Sequence, residues 1–209
     1  MELNNLYNMN CMEGMKQFPT KYFELAIIDP PYGININHNI GRRKGDKPSD
    51  YKKVTWDNKP PSQEYFDELF RVSQNQIIWG ANHFIELINK NSSCWIVWDK
   101  LFSEDVSFAS VELAWTSFTS VSKRFRLSSQ QQHRIHPTQK PIELYKWLLK
   151  NYAKEGDKIL DTHVGSGSSL IACYQMNFDY MGFELDEEYY KKATKRMADE
   201  MAQISLFYS

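Results

Sequence analysis

This sequence contains few cysteines, almost no net charge and no long apolar run. Its 209 residues include three widely spaced cysteines, Cys11, Cys94 and Cys173, and no CxxC pair. This spacing argues against a disulfide framework and against a cysteine-bound zinc ion. The 25 basic and 26 acidic residues nearly cancel, which excludes a uniformly basic surface of the histone kind.

No stretch of the chain approaches the ~18 consecutive apolar residues that a membrane span requires. Residues 1–10 lack the basic and apolar regions of a signal peptide. We therefore expect a cytoplasmic protein without a membrane segment.

What the sequence does contain is an alternation of short apolar runs with amphipathic segments. Such alternation predicts an α/β fold with a largely parallel sheet covered on both faces. Hydrophobic periodicity places strands at 3–9, 23–29, 76–80, 94–98, 111–115, 158–161 and 180–184, and helices at 11–18, 62–73, 141–153, 168–176 and 187–202.

Two polar stretches, residues 34–60 and 118–135, interrupt this pattern, and both are predicted to be loops. Polar stretches of this length inside a domain are usually functional or mobile. Each is rich in basic residues, which either contact a polyanion or form an ordinary solvated surface. The basic residues of interest are Arg42, Arg43, Lys44, Lys52 and Lys53 in the first stretch and Lys123, Arg124 and Arg126 in the second.

The sequence Asp29-Pro30-Pro31-Tyr32 follows a predicted buried strand, a position at which open α/β sheets bind ligands. The prolines stiffen the turn and lack N–H groups, so their carbonyls remain free acceptors. Asp29 and the Pro30 carbonyl can each accept a hydrogen from an exocyclic amine, and Tyr32 can stack on its ring. The alternative is a Pro-Pro turn capped by an aspartate.

A glycine loop, Gly165-Ser166-Gly167, joins the predicted strand ending at Asp161 to a helix. Leu170 occupies the position of the third glycine of the dinucleotide fingerprint, which argues against NAD and its pyrophosphate. Glu184 lies nineteen residues after Gly165, at the end of the next strand, where it can accept hydrogen bonds from two ribose hydroxyls. The pattern predicts an adenosine-containing cofactor, although a purely structural glycine turn is the alternative.

Residues 136–141, with the sequence HPTQKP, precede another predicted helix. Exposed donors at a helix N-terminus, with Thr138 and Lys140, would form a carboxylate pocket; a cap with a solvated lysine is the alternative. His133 and His136 have HxxH spacing, but no third ligand accompanies them, so no metal site is predicted.

Together, and in this order, the three motifs resemble those of the β-class DNA amino-methyltransferases, which methylate adenine N6 or cytosine N4 from S-adenosylmethionine. The similarity is greatest to small phage and prophage-type adenine methylases, through residues 65–73, 76–80 and 94–100. It covers nearly the whole chain, 1–209, as one domain, and it implies a circularly permuted Rossmann-like sheet. Residues 34–60 and 118–135 then become DNA-contacting recognition loops.

The resemblance also implies a role for each motif residue. Asp29, Pro30, Pro31 and Tyr32 would hold the target base, and Glu184 would bind the cofactor ribose. The remaining cofactor residues are Asn10 near the adenine, Thr138 and Lys140 at the methionyl end, and Asp161, Gly165, Ser166 and Gly167 in the loop. The chain departs from the family at Thr162-His163, where the family has Pro-Phe, and at Asn10, where it often has Asp.

These implications predict a site-specific DNA adenine-N6 methyltransferase that flips its target base out of the duplex. Cytosine-N4 enzymes of this class usually begin the tetrapeptide with Ser, so Asp29 favours adenine. The alternatives are a cytosine-N4 enzyme, a catalytically idle DNA-binding protein and an NAD(P) oxidoreductase, the last disfavoured by Leu170.

The expected partner is double-stranded DNA, bound by a monomer or a homodimer. Residues Gln203–Phe207 also resemble the short peptide with which many bacterial proteins bind the sliding clamp. The alternative for this tail is that it continues the last helix.

Overall fold

The computed structural model describes residues 1–34, 56–102, 109–129 and 134–207, without the side chains of Trp56 and of residues 204–207. Eight strands and six α-helices lie within these ranges. In chain order they are β1 (Asn5–Asn8), α1 (Cys11–Met15), β2 (Phe23–Ile28), α2 (Gln63–Val72), β3 (Ser73–Trp79), α3 (Ile85–Ile88), β4 (Trp95–Asp99), β5 (Val111–Thr116), β6 (Lys123–Arg126), α4 (Ile142–Tyr152), β7 (Lys158–Asp161), α5 (Ser168–Gln175), β8 (Asp179–Glu184) and α6 (Glu187–Phe207).

The eight strands form one sheet in the order β1-β8-β7-β2-β3-β5-β4-β6. The strand β5 runs antiparallel to both of its neighbours, and every other pairing is parallel. The predicted α/β fold with a largely parallel sheet is therefore confirmed. Seven strands end, and β5 begins, at one edge of the sheet, which we call the carboxyl edge.

Helices cover both faces of this sheet, as the alternating pattern predicts. The helices α4, α5 and α6 pack on one face over a core that includes Trp79, Trp98 and Leu148. The helices α1, α2 and α3 pack on the other face, around Phe66 and Phe183. Because both faces are buried, the central strands carry continuous apolar runs such as LAII, residues 25–28 of β2.

The strand β6 corrects the prediction that residues 118–135 form a loop. It pairs in parallel with β4 over its whole length, from Ile96↔Lys123 to Asp99↔Arg126. Its one aromatic residue, Phe125, packs against Trp147 of α4 with ring centroids 5.4 Å apart. The strand was not predicted because three of its four residues are basic. An edge strand needs few apolar side chains when its backbone is paired.

The last helix, α6, also differs from prediction, since it continues five residues beyond the predicted end at 202 and reaches Phe207. The predicted N1 residue of α4, Pro141, is instead its N-cap, with extended backbone angles. The other predicted elements are present with shifts of a few residues at their ends.

Candidate active site

The carboxylate of Asp29 lies at the carboxyl edge, directly after β2. Its Oδ1 accepts a hydrogen bond of 2.6 Å from the Tyr32 hydroxyl, and its Oδ2 accepts one of 2.6 Å from Nζ of Lys140. A carboxylate oxygen has more than one lone pair, so each oxygen can accept a further hydrogen. Asp29 is therefore oriented by two donors while it retains the capacity to bind an amine.

The turn after Asp29 is stabilised by two residues that sequence reasoning did not single out. Asp57, which is 3% exposed, accepts the backbone N–H groups of Tyr32 and Gly33 at 2.7 and 3.0 Å. Gly80 has a φ of +67° and lies against Tyr32, so that a Cβ there would overlap the Tyr32 ring. The same ring stacks on His83 with centroids 5.2 Å apart and planes 16° apart.

Lys140 does not occupy the exposed position that was predicted for it. Its side chain is 2% exposed, and its Nζ contacts Asp29 at 2.6 Å and Oε2 of Glu112 at 3.0 Å. Glu112 lies in β5 and also pairs with Lys100. The prediction of a solvent-facing donor is wrong, because the fold places Lys140 between two part-buried carboxylates whose charges stabilise a buried cation.

Burial and ion pairing act on these groups in opposite directions. Burial raises the pKa of Asp29, and the Lys140 ammonium offsets part of that increase. Burial alone would also raise the pKa of Glu112, but the ammonium groups of Lys140 and Lys100 outweigh it and lower the pKa to about 2. Burial disfavours the Lys140 ammonium, yet the two carboxylates raise its pKa. Glu112 and Lys140 are therefore both charged at neutral pH.

The glycine loop lies between β7 and α5, also at the carboxyl edge. Gly165 and Gly167 have φ values of +55° and +81°, which glycine adopts without strain. Glu184, at the end of β8, accepts the N–H of Gly165 with Oε2 at 2.8 Å and that of Asp186 with Oε1 at 2.9 Å. Glu184 thus positions the loop and keeps a second lone pair on each oxygen for a ligand.

Asp161 is turned inward, at 2% exposure. Its carboxylate accepts hydrogen bonds from the Ser169 hydroxyl and from the N–H of His163. Burial raises its pKa to about 7 despite these two donors. Asp161 therefore stabilises the start of the loop and the first turn of α5 through buried hydrogen bonds.

Thr162 and His163, where the chain departs from the family pattern, form a hydrogen-bonded chain with α2. The hydroxyls of Tyr65 and Thr162 are 2.6 Å apart, and Oγ1 of Thr162 lies 2.9 Å from Nδ1 of His163. Burial lowers the pKa of His163 to about 4, so its ring is neutral at physiological pH.

Residues 136–140 connect the two halves of the site. The buried ring of His136 packs on Tyr189, with centroids 4.3 Å apart. Its Cε1 lies 3.5 Å from the position that a Cβ on Gly165 would take. Thr138 follows in the chain, between His136 and Lys140, and its Oγ1 lies 3.1 Å from Nδ1 of His136. One short segment therefore contacts the glycine loop at one end and Asp29 at the other.

The remaining predicted site residues that the structure describes lie at both edges of the sheet, and Asn10 follows β1 at the carboxyl edge, beside the end of β8. Asn10 caps α1 by accepting the N–H of Met12 at 2.9 Å. Arg126 ends β6 at the carboxyl edge and pairs with Asp99 at 3.0 Å. Lys123 begins β6 at the opposite edge, where its Nζ bonds Asn151 at 2.9 Å, and Arg124 is exposed between them. Five predicted DNA contacts, with His133, lie outside the described residues: Arg42, Arg43, Lys44, Lys52 and Lys53.

Of the residues that sequence reasoning missed, only Glu112 carried a local signal. An acid within the apolar run VELAW of β5 is unusual for a buried strand. Asp57, Lys100 and His83 carried none, because their partners are distant in the sequence.

Neither a metal centre nor a membrane-spanning helix is found in the described part of the chain. Its His, Cys, Asp and Glu side chains form no group of three or more that could hold a metal ion. None of its helices is long and apolar enough to cross a bilayer.

The two halves of the site are adjacent because their strands are neighbours. The strands β2 and β7 pair directly, with Leu25 opposite Ile159 and Ala26 opposite Leu160. Asp29 and the glycine loop therefore leave the sheet side by side, although more than a hundred residues separate them in the chain. This arrangement can hold an amine on one side and an adenosine-containing donor on the other.

Comparison with known proteins identifies the family of this chain. The sequence model of a family described as DNA methylase matches residues 78–195. The protein YubD of Escherichia coli K12 is 22% identical over 210 residues, covering 90% of this chain and 88% of YubD. The type II methyltransferase M.HinfI of Haemophilus influenzae is 23% identical over 248 residues, covering 94% of this chain and 69% of that enzyme.

Two solved structures illustrate the similarity of fold. The complex of M1.HpyAVI with S-adenosylmethionine superposes with a TM-score of 0.61 at 19% identity, covering 92% of this chain and 98% of that one. The cytosine-N4-specific PvuII DNA methyltransferase superposes with a TM-score of 0.63 at 13% identity, covering 96% and 92%. At these identities the likeness establishes the fold.

Proposed function

This chain belongs to the DNA methylase family, and from that premise we propose that it transfers a methyl group from S-adenosylmethionine to N6 of adenine in duplex DNA. The observation that carries the proposal is the placement of Asp29 and the glycine loop on the paired strands β2 and β7. Because both motifs leave the same edge of the sheet, a base amine held by Asp29 lies beside a cofactor held by the loop.

The residues of the loop fit an adenosine-containing cofactor. Each oxygen of Glu184 accepts one backbone N–H and can accept one ribose hydroxyl as well. Gly165 and Gly167 leave the backbone open to close approach. Asn10, Thr138, Asp161 and Ser166 complete the proposed cofactor site, in which Asp161 acts by fixing the shape of the loop. Lys140 is withdrawn from it, because its ammonium is paired with Asp29 and Glu112. S-adenosylmethionine, when bound, supplies an electrophilic methyl group on a sulfonium sulfur.

Asp29 and the Pro30 carbonyl prepare the amine for attack. The lone pair of an exocyclic amine is delocalised into the base, which makes the nitrogen a poor nucleophile. Two acceptors that bind both of its hydrogens favour a pyramidal nitrogen with a localised lone pair. Positioning of the two reactants supplies up to roughly 7–11 kcal/mol of the barrier reduction in favourable cases. The proton leaves after methyl transfer, with Asp29 as its nearest acceptor.

The target base must leave the helix to reach Asp29, which costs a few kcal/mol. Arg124 and Arg126 on β6, together with Arg42, Arg43, Lys44, Lys52 and Lys53, are proposed as phosphate contacts that hold the distorted duplex. Lys123 is withdrawn from this group, because it lies at the opposite edge of the sheet and bonds Asn151.

Adenine is proposed over cytosine because Asp29, and not Ser, begins the tetrapeptide. The same pocket would accept the N4 amine of cytosine, and one structural neighbour is a cytosine-N4 enzyme by its title. The identity of the methylated base is therefore the point that the experiment must decide.

The test is single-molecule sequencing of genomic DNA from a methylation-deficient bacterial host that expresses the chain. We expect N6-methyladenine within one short sequence motif. Detection of N4-methylcytosine would replace the proposal with its cytosine alternative. An unmodified genome, from cells in which the protein folds and binds DNA, would indicate a catalytically idle DNA-binding protein. Asp29→Ala should remove the modification without changing cofactor affinity, and Glu155→Ala, at an exposed turn before β7, is the matched control.

A further inference from the structure

Asp29 is the first of four side chains of alternating charge that lie next to one another at the carboxyl edge. Nζ of Lys140 lies 2.6 Å from Asp29 and 3.0 Å from Glu112, and Glu112 in turn pairs with Lys100. Each comes from a different place: Asp29 follows β2, Glu112 lies in β5, Lys100 follows β4 and Lys140 precedes α4. Tertiary packing therefore brings four charges together at the carboxyl edge.

These charges are poorly hydrated, since their side chains are between 2% and 22% exposed. Burying ion pairs costs free energy that apolar side chains of similar volume would not cost. The role of Asp29 in the proposed reaction accounts for that residue and for its immediate partner, Lys140. It does not account for Glu112 or Lys100, neither of which pairs with Asp29.

We propose that Glu112 and Lys100 are positioning residues: Glu112 shares the ammonium of Lys140 and so leaves Asp29 available as the acceptor of the base amine, while Lys100 offsets the charge of Glu112 and so helps to keep Asp29 ionised. The inference rests on the proposed function. An ammonium has three N–H donors on a flexible stem. With Glu112 on its other side, Lys140 is held between two carboxylates and is not free to saturate Asp29.

The four charges sum to zero, and this balance is what Glu112 and Lys100 maintain. Loss of Glu112 changes the net charge of the cluster, Asp29 included, to about +1, and loss of Lys100 changes it to about −1. Loss of both restores neutrality. Two substitutions at neighbouring positions should therefore act in opposite directions and cancel when combined.

The other groups that face Asp29 do not disturb this balance. Tyr32 and Tyr145 are neutral, because burial raises the pKa of both hydroxyls well above the usual value. Asp161 of β7 is the remaining titratable neighbour, and its pKa of about 7 places its own titration within the pH profile. Because Asp161 is present in every variant, the comparison between variants reports the substituted charges. The Trp79 ring lies beside Lys140, with its centroid 5.4 Å from Nζ.

The test compares Glu112→Gln, Lys100→Met, the double variant and the charge-preserving Lys100→Arg. Methyl transfer from labelled S-adenosylmethionine to unmodified bacterial genomic DNA is measured against pH. Transfer requires ionised Asp29, so the acid limb of the rate profile follows its pKa. We expect the limb to move down by about one pH unit in Glu112→Gln and up by a similar amount in Lys100→Met. The acid limb of the double variant and of Lys100→Arg should lie at the same pH as that of the wild type.

A second readout does not depend on activity. Titration of the carboxyl carbon of Asp29, by NMR of protein labelled with ¹³C-aspartate, should give the same order of pKa values in the same proteins. Coincident titration curves in all variants would overturn the inference and leave the cluster a structural one. A wild type that methylates no DNA would instead remove the proposed function, while the titration still decides the inference. If Glu112→Gln does not fold, Lys100→Met against Lys100→Arg makes the same decision.

Discussion

At the scale of single residues, one side chain in this site serves both structure and binding. Glu184 accepts the N–H groups of Gly165 and Asp186, and so it shapes the turn that it would share with a bound ribose. Burial raises its pKa, whereas the backbone donors favour its ionised form. A substitution at Glu184 therefore removes a ligand contact and loosens the loop at the same time.

Glu184→Ala should weaken the binding of S-adenosylmethionine by about 1.5–3 kcal/mol, the range for hydrogen bonds to charged groups. Glu184→Gln keeps one carbonyl acceptor and should lose less. Isothermal titration calorimetry measures both effects, and Glu187→Ala, at an exposed residue paired with Lys191, is the control. Unchanged affinity in Glu184→Ala would show that this carboxylate does not bind the cofactor.

At the scale of elements, β6 separates basic residues that the sequence presents as equivalent. Parallel pairing with β4 places Lys123 at the start of the strand and Arg126 at its end. Only the second position lies at the carboxyl edge, where Asp29 and the glycine loop are. The strand therefore decides which of its charges can reach DNA bound at that edge.

Arg126→Gln should weaken the binding of all DNA sequences and reduce the slope of log K against log salt by about 0.9, the contribution of one phosphate contact. Lys123→Gln is the matched control on the same strand and should leave the slope unchanged. Binding titrations over a range of salt concentrations give both slopes. A slope in Arg126→Gln equal to that of the wild type would mean that Arg126 does not contact the phosphates.

At the scale of the whole molecule, the last helix reaches the segment that resembles a clamp-binding peptide. The helix α6 includes residues 203–207, which agrees with the expectation that the tail continues this helix. The side chains from 204 onward lie outside the description, so clamp binding remains a prediction. A chain end can supply a Leu-Phe anchor to an apolar pocket without disturbing the fold.

If the tail binds the clamp, purified bacterial sliding clamp should retain the full chain and not a chain that ends at Ala202. A variant with Leu206→Ala and Phe207→Ala keeps the full length of the chain, and the clamp should fail to retain it as well. Equal retention of all three proteins, or of none, would remove the hypothesis. Loss of methylation on truncation, in the absence of any clamp, would instead indicate that the tail packs on its own enzyme.

The sequence by itself determined the order and type of most elements, because hydrophobic periodicity and glycine and proline positions act locally. The strand β7 has its predicted bounds, and β2 ends one residue before its predicted end, at the motif that begins with Asp29. The family, the fold and the three motifs followed from such local patterns. The placement of two of these motifs at the ends of strands followed as well, because Asp29 and the glycine loop each come after the apolar run that forms β2 or β7.

Only the tertiary structure decided which of these groups meet. Lys140 pairs with Asp29 across 111 positions of the chain, and no local pattern distinguishes this buried lysine from a solvated one. The strand β6 forms because β4 offers a free edge, and Glu112 belongs to the site because β5 runs antiparallel and so begins at the carboxyl edge. Pairing between distant segments depends on the packing of the whole sheet, and therefore a charge's burial, partner and pKa are properties of the fold.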